Sequence, residues 1–295
     1  MSTAVTVLVP ARDAAATVGL ALRSTLRGLP AGSRVLVHDD ASTDGTVAVV
    51  RALGDDRVAV VQSAEPRGVA GGLNVLLERV ETPLVARMDA DDVSMPWRFA
   101  VALRALRAGA DATFTTVGRF GAGVRSLGLN APARISEQAM PLHLLLGNPV
   151  AHATLVARTD ALRAVSGYRA VPAEDYDLWL RLSAAGYRLR REGVAGLLSR
   201  SHPGQVTADQ GWRARARTAP GFQDAYADLA RRVLGAEPVW FGVLRRLEPA
   251  GTAEARTLLD GFAERLLRAG AGLPLDQRWL LRRRVAAVTA ALLRG

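Results

Sequence analysis

Across residues 6–117, short apolar runs take turns with segments whose apolar residues recur at helical spacing, and this alternation constrains the fold more than any other feature of the chain. Apolar runs at 6–9, 35–37, 58–61, 84–88 and 112–117 read as strands. Between them, 17–26, 43–53, 68–80 and 96–106 read as helices; Val18, Leu22 and Leu26, for example, share one helical face. The alternation predicts an α/β fold with a mostly parallel sheet, because parallel strands need crossover helices that cover both faces. Ligands of such sheets sit beyond the carboxyl ends of the strands. Three of those ends carry Pro10, Ala11 and Arg12, the pair Asp39-Asp40, and the run Met88-Asp89-Ala90-Asp91-Asp92.

The middle of the chain is less regular. It holds a Gly-rich stretch at 119–129, a helix near 137–146, a strand around 154–156 and a helix at 173–185. From 207 onward the pattern is helical, and Leu281, Val285, Val288 and Leu292 form one apolar stripe with Arg282, Arg283 and Arg284 partly off it. Pro203-Gly204 and Pro220-Gly221 punctuate the passage between the two patterns. The expected organisation is a sheet domain over 1–206, with halves 1–117 and 118–206, followed by a C-terminal helical region over 207–295.

With 295 residues and a hydrophobic fraction of 49%, the chain can bury a sizeable core. It has no cysteine, which excludes disulfides, thiolate metal sites and a cysteine nucleophile. The N-terminal stretch lacks the basic and apolar regions of a secretory signal, and no apolar run approaches the roughly 20 residues of a membrane span. A cytoplasmic location is expected. The net charge is +10, and every basic residue is Arg. Residues 206–295 hold 15 Arg against 9 acids. A basic surface suits nucleic acid, anionic lipid or a phosphorylated substrate, or is simply a solvated face. The acidic rim argues against nucleic acid, whose phosphates avoid uncompensated carboxylates. Peripheral contact of the basic C-terminal helices with the inner face of a membrane remains as a reading.

Acidic residues mark three places. Asp89 and Asp91 stand two apart on extended backbone, so both carboxylates aim into one rim. Such hard oxygen donors suit Mg²⁺ or Mn²⁺ shared with substrate phosphates. The local alternative is a turn, with Ser94 and Pro96 starting the next helix. In HDDASTDGT, residues 38–46, Asp40 is placed to accept a hydrogen bond from a base N–H, while Asp44 and Thr46 serve the turn and the helix that follows. Together these rims can hold a nucleotide by its base and its diphosphate. In PAEDYDLWLRL, residues 172–182, Asp175, Leu178, Trp179 and Leu182 share a helical face. Asp175 is thus either a partly desolvated general base or, with Glu174, an acidic first turn that favours the helix electrostatically.

Taken in order, these stretches resemble the family-two glycosyltransferases, inverting enzymes with the GT-A fold, whose sheet is Rossmann-like. VTVLVPARDAAATVGLALRSTL resembles their opening strand and nucleotide-contact turn, and VLVHDDASTDGT their second strand. EPRGVAGGLNVLLERV and LVARMDADDVSMPWR resemble the Gly/Asn segment and the metal-binding aspartates. NPVAHATLVAR and GYRAVPAEDYDLWLRLSAAGY resemble the acceptor-side strand and the catalytic-base helix, and LLSRSHPGQVT the closing strand. The likeness covers roughly residues 4–207. It implies a donor nucleotide-diphosphate sugar, a hydroxyl acceptor (a glycan, a lipid-linked sugar or a small molecule) and Mn²⁺ or Mg²⁺. Pro10, Ala11 and Arg12 would flank the base, with Asp40 accepting from it and Asp39 shaping the turn. Arg67, Gly68 and Asn74 would line the sugar-nucleotide cleft. Asp91 would be the main metal ligand, Asp89 would contact ribose or metal with Ala90 between them, and His202 would complete the site. Asp175 would deprotonate the acceptor, with Glu174 beside it.

The first turn departs from the family in carrying Arg12-Asp13 where many relatives have an aromatic residue and Asn. The Gln-x-x-Arg-Trp motif of processive synthases is absent, since Gln210-Gly211-Trp212-Arg213 has another order, so one linkage per encounter is expected. His152 matches an acceptor-side position but also suits a buried structural role; Trp179 suits acceptor stacking or the core; His143 reads as structural. Two other classes remain open: a sugar nucleotidyltransferase, which shares the sheet and the acidic site, and a non-catalytic basic binding module.

Overall fold

The computed structural model describes residues 3–121, 128–129, 133–201, 215–216, 218–246 and 251–293. The chain forms two compact units. The first gathers Met1–Arg134, Val150–Ala170 and Arg190–Gln205; the second gathers Ile135–Pro149, Val171–Leu189 and Val206–Gly295. Two stretches ahead of residue 206 therefore cluster with the C-terminal helices.

The strands are β1 (Val5–Ala11), β2 (Arg34–Asp40), β3 (Val58–Ser63), β4 (Leu84–Arg87), β5 (Val93–Ser94), β6 (Ala112–Gly121), β7 (Gly128–Leu129), β8 (Val156–Arg158) and β9 (Leu189–Ser201). The helices are α1 (Val18–Gly28), α2 (Thr46–Arg51), α3 (Gly68–Glu78), α4 (Arg98–Arg107), α5 (Met140–Leu146), α6 (Thr159–Ala164), α7 (Glu174–Ala184), α8 (Pro220–Leu234), α9 (Phe241–Leu244), α10 (Ala253–Ala269) and α11 (Leu275–Leu293).

In the first unit the strands form one sheet in the order β3-β2-β1-β4-β8-β6-β9-β5, with β7 paired to β6. The run β3-β2-β1-β4 is parallel, as the alternation of strands and helices predicts. Beyond it β8 pairs antiparallel with β4 and β6, and β5 pairs antiparallel with β9. The expected strand at 154–156 is a single 3₁₀ turn at His152–Thr154 followed by β8. Strand β1 lies at the centre of the parallel run, which is why Val5, Val7, Leu8 and Val9 are all buried rather than alternating. Val18 and Leu22 of α1 pack into the same core. Register fixes the site: Ala11 stands beside Asp39, and Leu8 beside Arg87. The carboxyl ends of β1, β2 and β4 thus open on a common rim.

The second unit is helical. Tyr176 of α7 meets Phe222 of α8 edge-on at 5.0 Å, and Trp240 stacks on Phe262 of α10 at 4.8 Å. Arg245 lies over the rings of Phe222 and Tyr176 at 4.6 and 5.0 Å. Leu281, Val285 and Leu292 of α11 are buried, as their spacing predicts. Among the described residues no helix is long and apolar enough to cross a membrane.

Gly28 ends α1 against the backbone of Pro96, and a Cβ there would lie 2.6 Å from the Pro96 carbonyl oxygen. Backbone cannot step aside as a flexible side chain can. Gly28→Ala is expected to lower unfolding free energy by about 1–3 kcal/mol, read by chemical denaturation.

Candidate active site

The acidic rim begins where β4 ends. The chain turns at Ala90 and Asp91 before β5, and this turn breaks the alternation that extended backbone would impose. One carboxylate oxygen from each of Asp89, Asp91 and Asp92 lies within 4.8 Å of the others. Spacing alone paired Asp89 with Asp91; the turn adds Asp92, which sequence reasoning left out of the site.

These carboxylates sit among guanidinium groups. Arg87 Nη2 pairs with Asp89 Oδ1 at 2.5 Å. The Arg200 backbone N–H donates to Asp92 Oδ1 at 2.8 Å, and Arg200 Nε donates to the Asp91 carbonyl at 3.0 Å. Beneath them Arg98 is fully buried. Its Nη2 donates to the Arg87 carbonyl at 2.5 Å and its Nη1 to the Met88 sulfur at 3.3 Å. Burial, then the nearby Arg87, lowers its pKa to about 10, so it stays charged at neutral pH. Burial, then the charge of Asp89, pushes Asp92 up to about 7. Asp92 Oδ2 is buried with no hydrogen-bond partner among the described residues. Clustered hard oxygens with one orphaned oxygen fit a divalent cation of the Mg²⁺ or Mn²⁺ type.

The nucleotide side sets the two adjacent aspartates in different surroundings. Asp40, expected to receive the base, accepts from backbone with both oxygens: Oδ1 from the Arg67 N–H at 2.6 Å and Oδ2 from the Gly68 N–H at 3.0 Å. It ties the end of β2 to the start of α3, where unpaired N–H groups and the helix dipole favour a carboxylate. Asp39, expected only to shape the turn, is buried, and its Oδ1 lacks a partner among the described residues. Gly68 holds φ +68, a conformation that suits glycine. Pro10 is half-buried, Ala11 and Ala90 are buried, and Arg67 is exposed. Arg12 is half-exposed beside Asp13. As expected, Asp44 serves its turn, accepting from the N–H groups of Thr46 and Ala15 at 2.9 and 3.0 Å.

Asn74 does not line a cleft through its amide. Nδ2 donates to the Tyr168 carbonyl at 2.7 Å and Oδ1 accepts from the Tyr168 N–H at 2.9 Å, so both ends clasp backbone. His152 Nε2 shares a hydrogen bond with the Tyr168 hydroxyl at 2.9 Å. Burial, then Arg87, holds its pKa well below the usual imidazole value, so it is neutral. Trp179 is a further correction: it is completely buried in the second unit, so no acceptor sugar can stack on it. His202 lies outside the described residues.

Asp175 stands in the first turn of α7, half-buried beside the half-buried Glu174. Asn148 Nδ2 donates to Asp175 Oδ2 at 2.9 Å, and the Tyr176 N–H donates to Oδ1 at 2.7 Å. Ala173, just before the helix, adopts φ 60 and ψ 46, left-handed and costly for a residue with a Cβ. Sequence reasoning passed over Asn148. Its place is fixed by the end of α5, whose carbonyls are capped from three helices: the Tyr176 hydroxyl donates to Leu144, the Tyr226 hydroxyl to Leu145 at 2.8 Å, and Arg284 Nη2 to Gly147 at 2.9 Å.

Residues 6–164 match the profile of glycosyl transferase family 2, and the chain belongs to that family. It is 30% identical over 161 residues to EpsE of Bacillus subtilis, covering 52% of this chain and 57% of EpsE. It is 38% identical over 98 residues to the succinoglycan biosynthesis protein ExoU of Rhizobium meliloti, covering 32% and 28%. It therefore spans less than two thirds of either relative. Among solved structures, S. aureus TarS 1-349 in complex with UDP-GlcNAc superposes with a TM-score of 0.61 at 17% identity, covering 99% of this chain and 89% of TarS 1-349. Mannosyltransferase PcManGT from Pyrobaculum calidifontis, in complex with GDP-Man and Mn²⁺, gives 0.54 at 21% identity, covering 98% and 86%. The fold is GT-A-like.

Asp92 makes the metal-free protein pH-sensitive. Its native pKa of about 7 lies above the roughly 3.9 of an unfolded aspartate. The native state therefore holds the extra proton between those values, and this contribution to stability is lost as pH rises through them. In chelator, the melting temperature of Asp92→Asn relative to wild type is expected to rise from pH 5 to pH 8.

Proposed function

We propose that this chain moves one sugar from a nucleoside-diphosphate sugar to an acceptor hydroxyl, with inversion, in the synthesis of a polysaccharide, cell-envelope polymer or glycoconjugate. The observation that carries the reading is the cluster Asp89, Asp91 and Asp92 at the carboxyl end of β4, in a chain of this family. Donor complexes of TarS and PcManGT, and relatives such as the UDP-Glc:alpha-D-GlcNAc-diphosphoundecaprenol beta-1,3-glucosyltransferase WfaP of Escherichia coli (22% identical over 205 residues, 66% of this chain and 74% of WfaP), support a nucleotide-sugar donor.

Asp39 offers its unpartnered oxygen to a base N–H, with Pro10, Ala11 and Arg12 flanking the base. Asp40 acts through Arg67 and Gly68 by fixing the start of α3. Asp91, with Asp89 and Asp92, would hold Mn²⁺ or Mg²⁺, and His202 is a further candidate ligand. An ion held there would supply positive charge to a leaving diphosphate. Residues 1–117 serve the donor and 118–206 the acceptor.

Asp175 takes the proton from the acceptor hydroxyl as its oxygen bonds to the anomeric carbon. The bond from that carbon to the diphosphate oxygen breaks, and its electron pair leaves with the nucleoside diphosphate. Attack opposite the leaving group inverts the centre. Asn148 orients the carboxylate through its hydrogen bond to Oδ2. A positioned base contributes about 10²–10⁴-fold, so leaving-group stabilisation carries much of the remainder.

The test is a panel of UDP-, GDP- and dTDP-sugars with Mn²⁺ or Mg²⁺, read by melting temperature and by release of nucleoside diphosphate. One donor is expected to raise the melting temperature only with metal, and Asp91→Asn to abolish the shift. Asp175→Asn is expected to keep the shift and lose about 10²–10⁴-fold in turnover. Pyrophosphate release from a sugar phosphate and a nucleoside triphosphate would instead mark a nucleotidyltransferase.

A further inference from the structure

Helix α11 carries two apolar faces where one suffices for packing. Leu281, Val285 and Leu292 are buried within the second unit. A second set does not face that core: Leu275 is 75% exposed, Trp279 58% and Leu293 44%, and Ala286 is exposed as well. At 3.6 residues per turn these four, with half-buried Ala290, fall within about 60° of arc, centred about 130° around the helix from the buried stripe. Arginines border the outer stripe. Arg282 and Arg283 are exposed, and the Arg283 guanidinium lies 4.6 Å over the Trp279 ring. Arg278 and Arg282 also line a hollow of about 70 Å³ at the junction of α10 and α11, with Leu267, Gly270, Ala271 and Leu281. Asp276 is the single acidic residue of this helix, and its Oδ2 accepts from Gln277 Nε2 at 2.8 Å.

An exposed Leu and Trp bordered by guanidinium groups calls for a partner that is apolar below and negative above. A second copy of this chain fits poorly. Arg282 and Arg283 lie near the middle of the helix, so pairing across this stripe, parallel or antiparallel, sets the same arginines against each other. An anionic bilayer satisfies both demands. Trp sits well at the headgroup level, leucine enters the acyl boundary, and guanidinium forks match lipid phosphates. We propose that this face of α11 docks on an anionic membrane surface, with Leu275 and Trp279 entering the interface and Arg282 and Arg283 on headgroup phosphates.

The full chain is sedimented with vesicles of pure phosphatidylcholine or of phosphatidylcholine with one-quarter phosphatidylglycerol, at roughly 0.1 M salt. Binding is expected only with phosphatidylglycerol and to weaken as salt rises. The double variant Arg282→Gln/Arg283→Gln is expected to bind about tenfold more weakly. Leu275→Ser/Trp279→Ser is expected to lose most binding while keeping the wild-type melting temperature, because both side chains are exposed. Arg104→Gln/Arg107→Gln on α4 makes the same change in net charge and is expected to bind as wild type. The proposal is overturned if phosphatidylglycerol makes no difference, if the α11 variants bind as wild type, or if the α4 variant weakens binding equally. It is also overturned if the wild type is a dimer that Leu275→Ser/Trp279→Ser converts to monomer. Binding is read without turnover, so a misassigned active site and a misread surface give different results.

Discussion

A fully buried guanidinium beneath a cluster of carboxylates is the interaction on which the candidate donor site depends. Removing Arg98 from water is costly, and removing Asp92 is costly too. Contacts offset part of the cost: Arg98 donates to the Arg87 carbonyl and the Met88 sulfur, Arg87 pairs with Asp89, and the Arg200 backbone N–H donates to Asp92. The compensation is incomplete. Among the described residues Arg98 Nε and Asp92 Oδ2 lack partners, and burial shifts Arg98 down and Asp92 up. A site built this way is poised for one more positive charge near the carboxylates, which is what a divalent cation brings.

The helix of the second unit that carries Asp175 is held by a different device. The C-terminal carbonyls of α5 would be orphaned by the end of the helix. Tyr176, Tyr226 and Arg284 supply their donors from α7, α8 and α11. The next residue, Asn148, holds the Asp175 carboxylate. The C-terminal helices thus support, at one remove, the group assigned to proton transfer, and this gives a physical reason for clustering 135–149 and 171–189 with them.

Much of this was legible in the sequence because periodicity is local. The parallel run β3-β2-β1-β4 and the buried stripe of α11 follow from apolar spacing, and the rim follows from where the strands stop. What the sequence hid depended on turns and on distant backbone. Asp39 and Asp40 are neighbours of one type; only the N–H groups of Arg67 and Gly68, far along the chain, decide which is engaged. Asp92 joins its neighbours because the chain turns at Ala90, and alternation cannot foresee a turn. Asn74 reads as a ligand-facing amide until Tyr168 takes both its ends. Trp179 could be weighed either way from spacing, and burial decides it for the core. The long strand β9 was seen only as its closing segment, since LRREGVAGLLSRS mixes charge with glycine and lacks clean alternation.

The central claim is that Asp89, Asp91 and Asp92 form one cation site shared with a nucleoside diphosphate. Electron paramagnetic resonance of Mn²⁺ titrated into the wild-type chain, with and without UDP or GDP, tests it most directly. The account predicts one bound ion per chain, held more tightly with the preferred nucleotide and lost in Asp91→Asn. Free-ion spectra throughout, or binding that is indifferent to Asp91, would contradict it.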